Sequence, residues 1–244
     1  MSKQVTLLMC SPRKKQSASY SLGSYVTSLL EEKGITAKIF QIYNTLRDSD
    51  KIDEMVKAID ASDILVLSSP LYVDSAPFMT IKLMNLIAKE KQEGKIRKKE
   101  RLILAISNAG YLEYFHNNIA IRIYEQFAKE NEFTWAGGLP IGAAGMYTSM
   151  SISDFLKQFE GLPEEDPRHE YFCKPAKILD SVIKTSVDYL SKGEIVPRDE
   201  LQKLEFISMP LQAYAEGGNK NWIGLAEQLG TKDKLRDKPY EVKK

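Results

Sequence analysis

Cysteine is nearly missing from this chain: Cys10 and Cys173 are the only two among 244 residues. They make no disulfide framework, no CxxC redox pair and no four-thiolate set for zinc or an iron–sulfur cluster, so any redox chemistry must come from a bound cofactor. Long apolar runs are missing too. No segment approaches the ~20 residues of a membrane span, and the run Val5 to Cys10 is too short for a signal-peptide core and leads into a polar loop, so a cytoplasmic location is expected. Charge of one sign is not in excess: 34 Lys plus Arg face 33 Asp plus Glu, a formal +1, which provides no global field toward nucleic acid or a membrane surface. The basic run GKIRKKERL, Gly94 to Leu102, sits between a helix and a strand and reads as a solvated helix end.

Several motifs are absent as well. There is no GxxxxGK[ST] and no GxGxxG after a strand, which removes the P-loop and the usual dinucleotide fingerprint. The HExxH and H-x-E…C-x-x-C patterns of zinc hydrolases and deaminases do not occur, and without GxSxG Ser11 is no hydrolase nucleophile.

What is present is ordinary globular material, 43% hydrophobic and 27% charged, enough for one large domain or two small ones. Strand-length and helix-period apolar segments alternate along it, the sign of βαβ units and a parallel sheet covered on both faces. Strands are predicted at about Val5–Cys10, Thr36–Ile42, Asp63–Ser68, Arg101–Ser107 and Phe133–Ile141. Helices are predicted at about Ser19–Lys33, stopped by Gly34, and at Asp50–Asp60, Phe78–Lys91, Asn117–Glu130 and Ala176–Ser191. This order suits an α/β, flavodoxin-like, doubly wound five-stranded parallel sheet of order 2-1-3-4-5, with its ligand crevice beyond the carboxyl ends of strands 1 and 3. The domain is drawn as 1–195. Residues 196–244, with short apolar patches around Leu204 to Ile207 and Trp222 to Leu225 separated by Gly217-Gly218, read as an extension packing on the domain or on a partner subunit, Trp222 being a candidate anchor. The stretch GLPEEDPRHE, Gly161 to Glu170, reads as a loop.

The first loop, in VTLLMCSPRKKQSASYS, runs from a strand into a hydroxyl cluster that opens a helix. A helix N-terminus offers unpaired N–H groups and the positive end of a dipole, and Ser11, Arg13, Ser17 and Ser19 add donors around an anion. Ser caps helices everywhere, so this loop alone is also read as an ordinary turn. The third strand runs into PLYVDSAPFMTIKLMN, where Pro70 and Pro77 bracket an aromatic, and the fourth into Ser107-Asn108-Ala109-Gly110-Tyr111. Aromatic faces with backbone donors suit a planar heteroaromatic ring, so the three loops together suit a mononucleotide. Gly142, Ala143, Ala144 and Gly145 permit close approach of a ligand or partner, or serve a turn.

Through CSPRKKQSASYSL, DILVLSSPLYVDSAPFMTIKLMN and ISNAGYLE, over roughly its first 150 residues, the chain resembles the flavodoxin-like NAD(P)H-dependent FMN reductases, including the branch that contains iron–sulfur flavoproteins. The resemblance implies that Ser11, Arg13, Ser17 and Ser19 hold the FMN phosphate, that Pro70, Leu71, Tyr72 and Val73 lie beside the isoalloxazine, and that Asn108, Ala109, Gly110 and Tyr111 add to it. Cys10 stands where the family usually has Gly, the first loop is about one residue longer than the commonest pattern, and the cluster cysteines of the sister branch are missing. A flavin-only member follows from the resemblance, without metal and with no catalytic side chain strictly required, since hydride chemistry belongs to the flavin. Tyr72, Tyr111, Glu113 and His116 are the titratable groups near the crevice; loop tyrosines read more readily as ring supports, and His116 as a cap or surface residue. Cys10 reads as an inert small hydrophobe.

The functional expectation is an FMN-dependent oxidoreductase taking hydride from NAD(P)H and reducing a small acceptor such as free flavin or a quinone, as a homodimer or tetramer. The alternatives are a flavodoxin-like electron carrier, or a flavin-free binding protein of the same fold.

Overall fold

Five runs, three of them rich in Val, Ile and Leu, form parallel strands in the computed structural model, which describes residues 3–148 and 150–238. They are β1 (Gln4–Met9), β2 (Thr36–Gln41), β3 (Ile64–Pro70), β4 (Leu102–Asn108) and β5 (Thr134–Ile141), in sheet order β2-β1-β3-β4-β5. The order is the one the alternation of elements predicts. β4 is buried throughout and β3 up to Pro70, so their near-continuous apolar character is that of strands covered on both faces. Along β1 the side chains alternate between two cores, Leu7 and Met9 into one, Leu8 into the other.

One core lies under α1 (Ala18–Glu32) and α7 (Lys174–Lys192), with Val26, Leu30, Val66, Leu104 and Val182 at its centre. The other lies under α3 (Ser49–Ala61), α4 (Phe78–Gln92) and α5 (Asn118–Glu130), around Met55, Ile59, Leu67, Leu83 and Tyr124. Predicted and observed ends of these elements differ by at most two residues. The start of α1 shows why: the oxygen of Ser17 accepts from the N–H of Tyr20, so Ser17 caps the helix from outside and Ala18 is its first residue. Short α2 (Ile42–Thr45), α6 (Ile152–Lys157) and α8 (Arg198–Gln202) have too few turns to display a period, and no helix is predicted for them; Ile42, read as the end of the second strand, opens α2 instead. A π turn at His169–Cys173 leads into α7 from the stretch read as a loop.

The first compact unit runs Met1–Ser208, past the 195/196 boundary drawn from sequence. Its last residues are tied to β5: the N–H of Val196 donates to the carbonyl of Ala136 at 2.9 Å, and Leu204 is buried in the core. Ala136 is the extra residue of a β-bulge, since Ile103 pairs with Trp135 but Leu104 with Gly137. Gly137 has a φ of +139°, and a Cβ there would sit 2.7 Å from the Leu201 side chain.

The second compact unit, Met209–Lys244, contains α9 (Leu211–Gln228) and a short turn at Lys232–Lys234. Gly217-Gly218, expected to separate two apolar patches, lies inside α9 instead. Among the described residues no helix is long and apolar enough to cross a membrane.

Candidate functional site

Parallel pairing in register brings four strand ends to one edge: Met9 lies opposite Ser68, Pro70 opposite Asn108, and Asn108 opposite Ile141. The loops that follow β1, β3, β4 and β5 therefore surround one crevice, where the chain crosses from one face of the sheet to the other. An open cleft lies there.

Ten of the twelve residues singled out from sequence line it: Ser11, Arg13, Ser17, Ser19, Pro70, Leu71, Tyr72, Asn108, Ala109 and Gly110. Two do not. Val73 is 99% exposed at the tip of its loop, and Tyr111 turns outward to pack against His116, ring centroids 4.7 Å apart.

The anion end is built on the first turn of α1. The N–H groups of Ala18 and Ser19 have no acceptor within the helix, as in every first turn. Ser17 Oγ donates to the carbonyl of Lys14 at 2.6 Å while accepting from Tyr20, so its hydroxyl is committed to the turn. Ser19 is held differently. Asn108 Nδ2 donates to Ser19 Oγ at 2.9 Å and to the carbonyl of Ser69 at 2.9 Å, and Ser68 Oγ donates to the carbonyl of Ser19 at 2.7 Å. With Oγ accepting from the amide, the Ser19 hydroxyl proton is left for a ligand. Ser11 Oγ accepts from the N–H of Arg13 at 3.3 Å, and Arg13 itself is exposed at the rim.

The other end is flatter. Leu71 N–H donates to the carbonyl of Asn108, and Tyr72 and Ser75 exchange a pair of backbone hydrogen bonds, both 3.1 Å. That pair closes a two-residue turn in which Val73 and Asp74 have φ values of +51° and +53°. This is the left-handed pattern of a type I′ turn, normally the place of Asn and Gly, and a β-branched residue is strained in it. Burial raises the Tyr72 phenol above its ordinary value, as does Tyr43, while the Arg13 cation opposes the shift. Across the cleft, Ala109 N–H donates to the carbonyl of Ile141 and Ala144 N–H to the carbonyl of Ala109, stitching the last two loops together.

Ala18, Ala144, Gly145 and Thr148 complete the lining. Ala144 and Gly145 belong to the small-residue run noted in the sequence; Ala18 and Thr148 carried no signal of their own. His116 Nδ1 lies 3.1 Å from Asp74 Oδ1, linking the loops after β3 and β4 outside the cleft. Cys10 is fully buried at the end of β1, and burial pushes its thiol up to about 12. Among the described residues no three His, Cys, Asp or Glu side chains gather as a metal site would require.

These donors fit a flavin mononucleotide: first-turn N–H groups, a hydroxyl and a guanidinium at one end suit a phosphomonoester, and the Pro70–Tyr72 wall at the other suits a planar ring. Residues 4–114 match the family model described as NADPH-dependent FMN reductase, which gives the enzyme class, NAD(P)H-dependent flavin oxidoreduction, and FMN as the cofactor. Among solved structures, an NADH:FMN oxidoreductase in its apo form is similar with a TM-score of 0.53 at 12% identity, covering 87% of this chain and 98% of its own. A Klebsiella pneumoniae protein provisionally named a quinone reductase is similar with a TM-score of 0.50 at 12% identity, over 80% of this chain and 88% of that one. At such identities the likeness is one of fold. No curated protein sequence matches the chain.

Proposed function

We propose that this chain, whose residues 4–114 match the family model described as NADPH-dependent FMN reductase, uses its cleft to hold FMN and to reduce a small planar acceptor such as free flavin or a quinone with electrons from NAD(P)H. The observation that carries the reading is the convergence of four strand-end loops on one cleft with an anion cradle at one end and an aromatic wall at the other. Bound FMN supplies the two-electron carrier between nicotinamide and acceptor. The protein's part is to bind and orient. The first-turn N–H groups of Ala18 and Ser19, the Ser19 hydroxyl and Arg13 receive the phosphate, with Ser11 and Ser17 shaping the turn beneath it. Asn108 holds Ser19 and the end of β3 in fixed relation, so phosphate and ring sites are set by one side chain. Pro70, Leu71 and Tyr72 back the ring on one side, and Ala109, Gly110, Ala144 and Gly145 allow it to lie close to the backbone on the other. Val73 and Tyr111 contribute from the rim, where exposed Tyr111 and Phe115 flank half-buried His116 in an aromatic ledge suited to a planar acceptor.

The test is the visible spectrum of the purified protein before and after FMN, followed by anaerobic NADPH. Bands of bound flavin that bleach with NADPH and recover on adding a quinone support the reading. Flavin that stays oxidised favours an electron carrier, and no FMN binding overturns the assignment of the cleft.

A further inference from the structure

The helix α9 belongs to a unit too small to bury it. Met209–Lys244 contains one long helix, and units of fewer than ~40 residues rarely build a core alone. An isolated helix of this length with Gly217, Gly218 and Gly224 inside it is marginal in water. Yet α9 carries a continuous apolar stripe. Leu211, Ala215, Gly218, Trp222, Leu225 and Leu229 follow one another at alternating spacings of four and three, which keeps them on a single face. Leu211, Trp222, Leu225 and Leu229 are 65%, 65%, 44% and 67% exposed.

The order of residues in the stripe says what covers it. The six positions are symmetric about residue 220: Leu211 mirrors Leu229, Ala215 mirrors Leu225 and Gly218 mirrors Trp222. A second copy of the helix laid antiparallel therefore sets leucine against leucine, leucine against alanine, and the large indole against the residue with no side chain. A patch that complements itself under a two-fold rotation is the requirement of an isologous interface. Among the described residues, a Cβ at Gly218 would have no atom within 4 Å. Charge agrees. Glu216, Lys220 and Glu227 lie on the opposite side of α9, and the stripe is flanked by Gln212, Asn219, Asn221 and Gln228, so self-pairing brings no like charges together. A membrane surface would favour flanking Lys and Arg instead.

We propose that α9 is a self-association arm that pairs antiparallel with α9 of a second copy of this chain, about a two-fold axis at the level of residue 220. The proposal is independent of the flavin reading. Two helices of this size bury an interface at the small end of specific contacts, below about 1,200 Å².

Sedimentation equilibrium of the full chain with saturating FMN, from low to high micromolar protein, tests it. A reversible monomer–dimer equilibrium is expected, weakened at least ~10-fold by Trp222→Ala and by Gly218→Trp, the second because two indoles then oppose each other. The double variant Gly218→Trp with Trp222→Gly exchanges the mirrored partners and is expected to restore dimerisation to within about threefold, which a merely misfolded arm would not do. A chain that stays monomeric throughout, a dimer indifferent to Trp222→Ala, or a double variant no better than the single ones would each overturn the proposal.

Discussion

Asn108 joins three elements with one amide. Its Nδ2 serves both Ser19 Oγ and the carbonyl of Ser69, in a buried position, so Asn108→Ala leaves two acceptors without their donor. A loss of about 1–3 kcal/mol in stability is expected, with FMN affinity falling at least ~10-fold in a fluorescence titration. Val73 shows the opposite kind of residue. Held at a φ of +51° with its side chain in solvent, it stores strain that asparagine tolerates far better. Val73→Asn is expected to raise the melting temperature by about 2–4 °C, equivalent to ~1 kcal/mol in a domain of this size. Cys10, with its thiol pushed up to about 12 by burial, is expected to resist alkylation at pH 8 until the protein unfolds. The same shift has a sign for stability. A group whose folded value is raised contributes fully below its ordinary value and loses that contribution as pH climbs through the folded one. Cys10, with Tyr147 and Tyr25 raised mainly by burial, therefore makes thermal stability fall above about pH 9, and Cys10→Ala is expected to flatten the first part of that decline in a melting series. At this scale the sequence disclosed donors better than directions. Ser11, Arg13, Ser17 and Ser19 are recognisable because hydroxyls and a cation crowd a strand end, but only coordinates tell that Ser17 spends its hydroxyl on Lys14 while Ser19 does not. Whether Tyr111 faces inward or outward is likewise decided by packing against His116, which no local pattern encodes.

Elements were legible in proportion to their length and burial. β3 and β4 are buried nearly end to end and announce themselves as unbroken apolar runs, and α5 and α7 show a clear polar–apolar period over three turns or more. α9 was obscured because glycine is both a loop signal and, in its interior, a helix residue tolerated at ~1 kcal/mol each. The turn after β5 makes an element-level test. At Gly142 an added Cβ would lie 2.4 Å from the carbonyl oxygen of Leu112, a backbone atom that cannot swing aside. Gly142→Ala is thus expected to push the loop carrying Ala144 and Gly145 away from the one carrying Ala109. Weaker FMN binding with near-normal far-ultraviolet circular dichroism would register that displacement.

For the molecule as a whole, sheet order was readable because alternating βαβ segments admit few topologies, right-handed crossovers removing most of them. Where the first compact unit ends was not, since the contacts of Val196 and Leu204 with the sheet are made across distant sequence. A formal charge of +1 bears on function at this scale. Without a strong overall field, reduction of a neutral acceptor is expected to change less than about twofold between low and physiological salt in a stopped-flow or steady-state assay, whereas a carrier that docks on charged proteins would slow markedly. The bulge on β5 reaches further still. A sheet ends in two rows of backbone groups able to recruit foreign strands, and β5 is one of those rows. Here the extra residue, Ala136, has its carbonyl taken by Val196, and Leu201 covers the glycine beside it. Chains crowded on a ribosome or in a concentrated solution therefore find that border already interrupted at Ala136 and Gly137, where the short segment after α7 stands in the way of strand-by-strand aggregation.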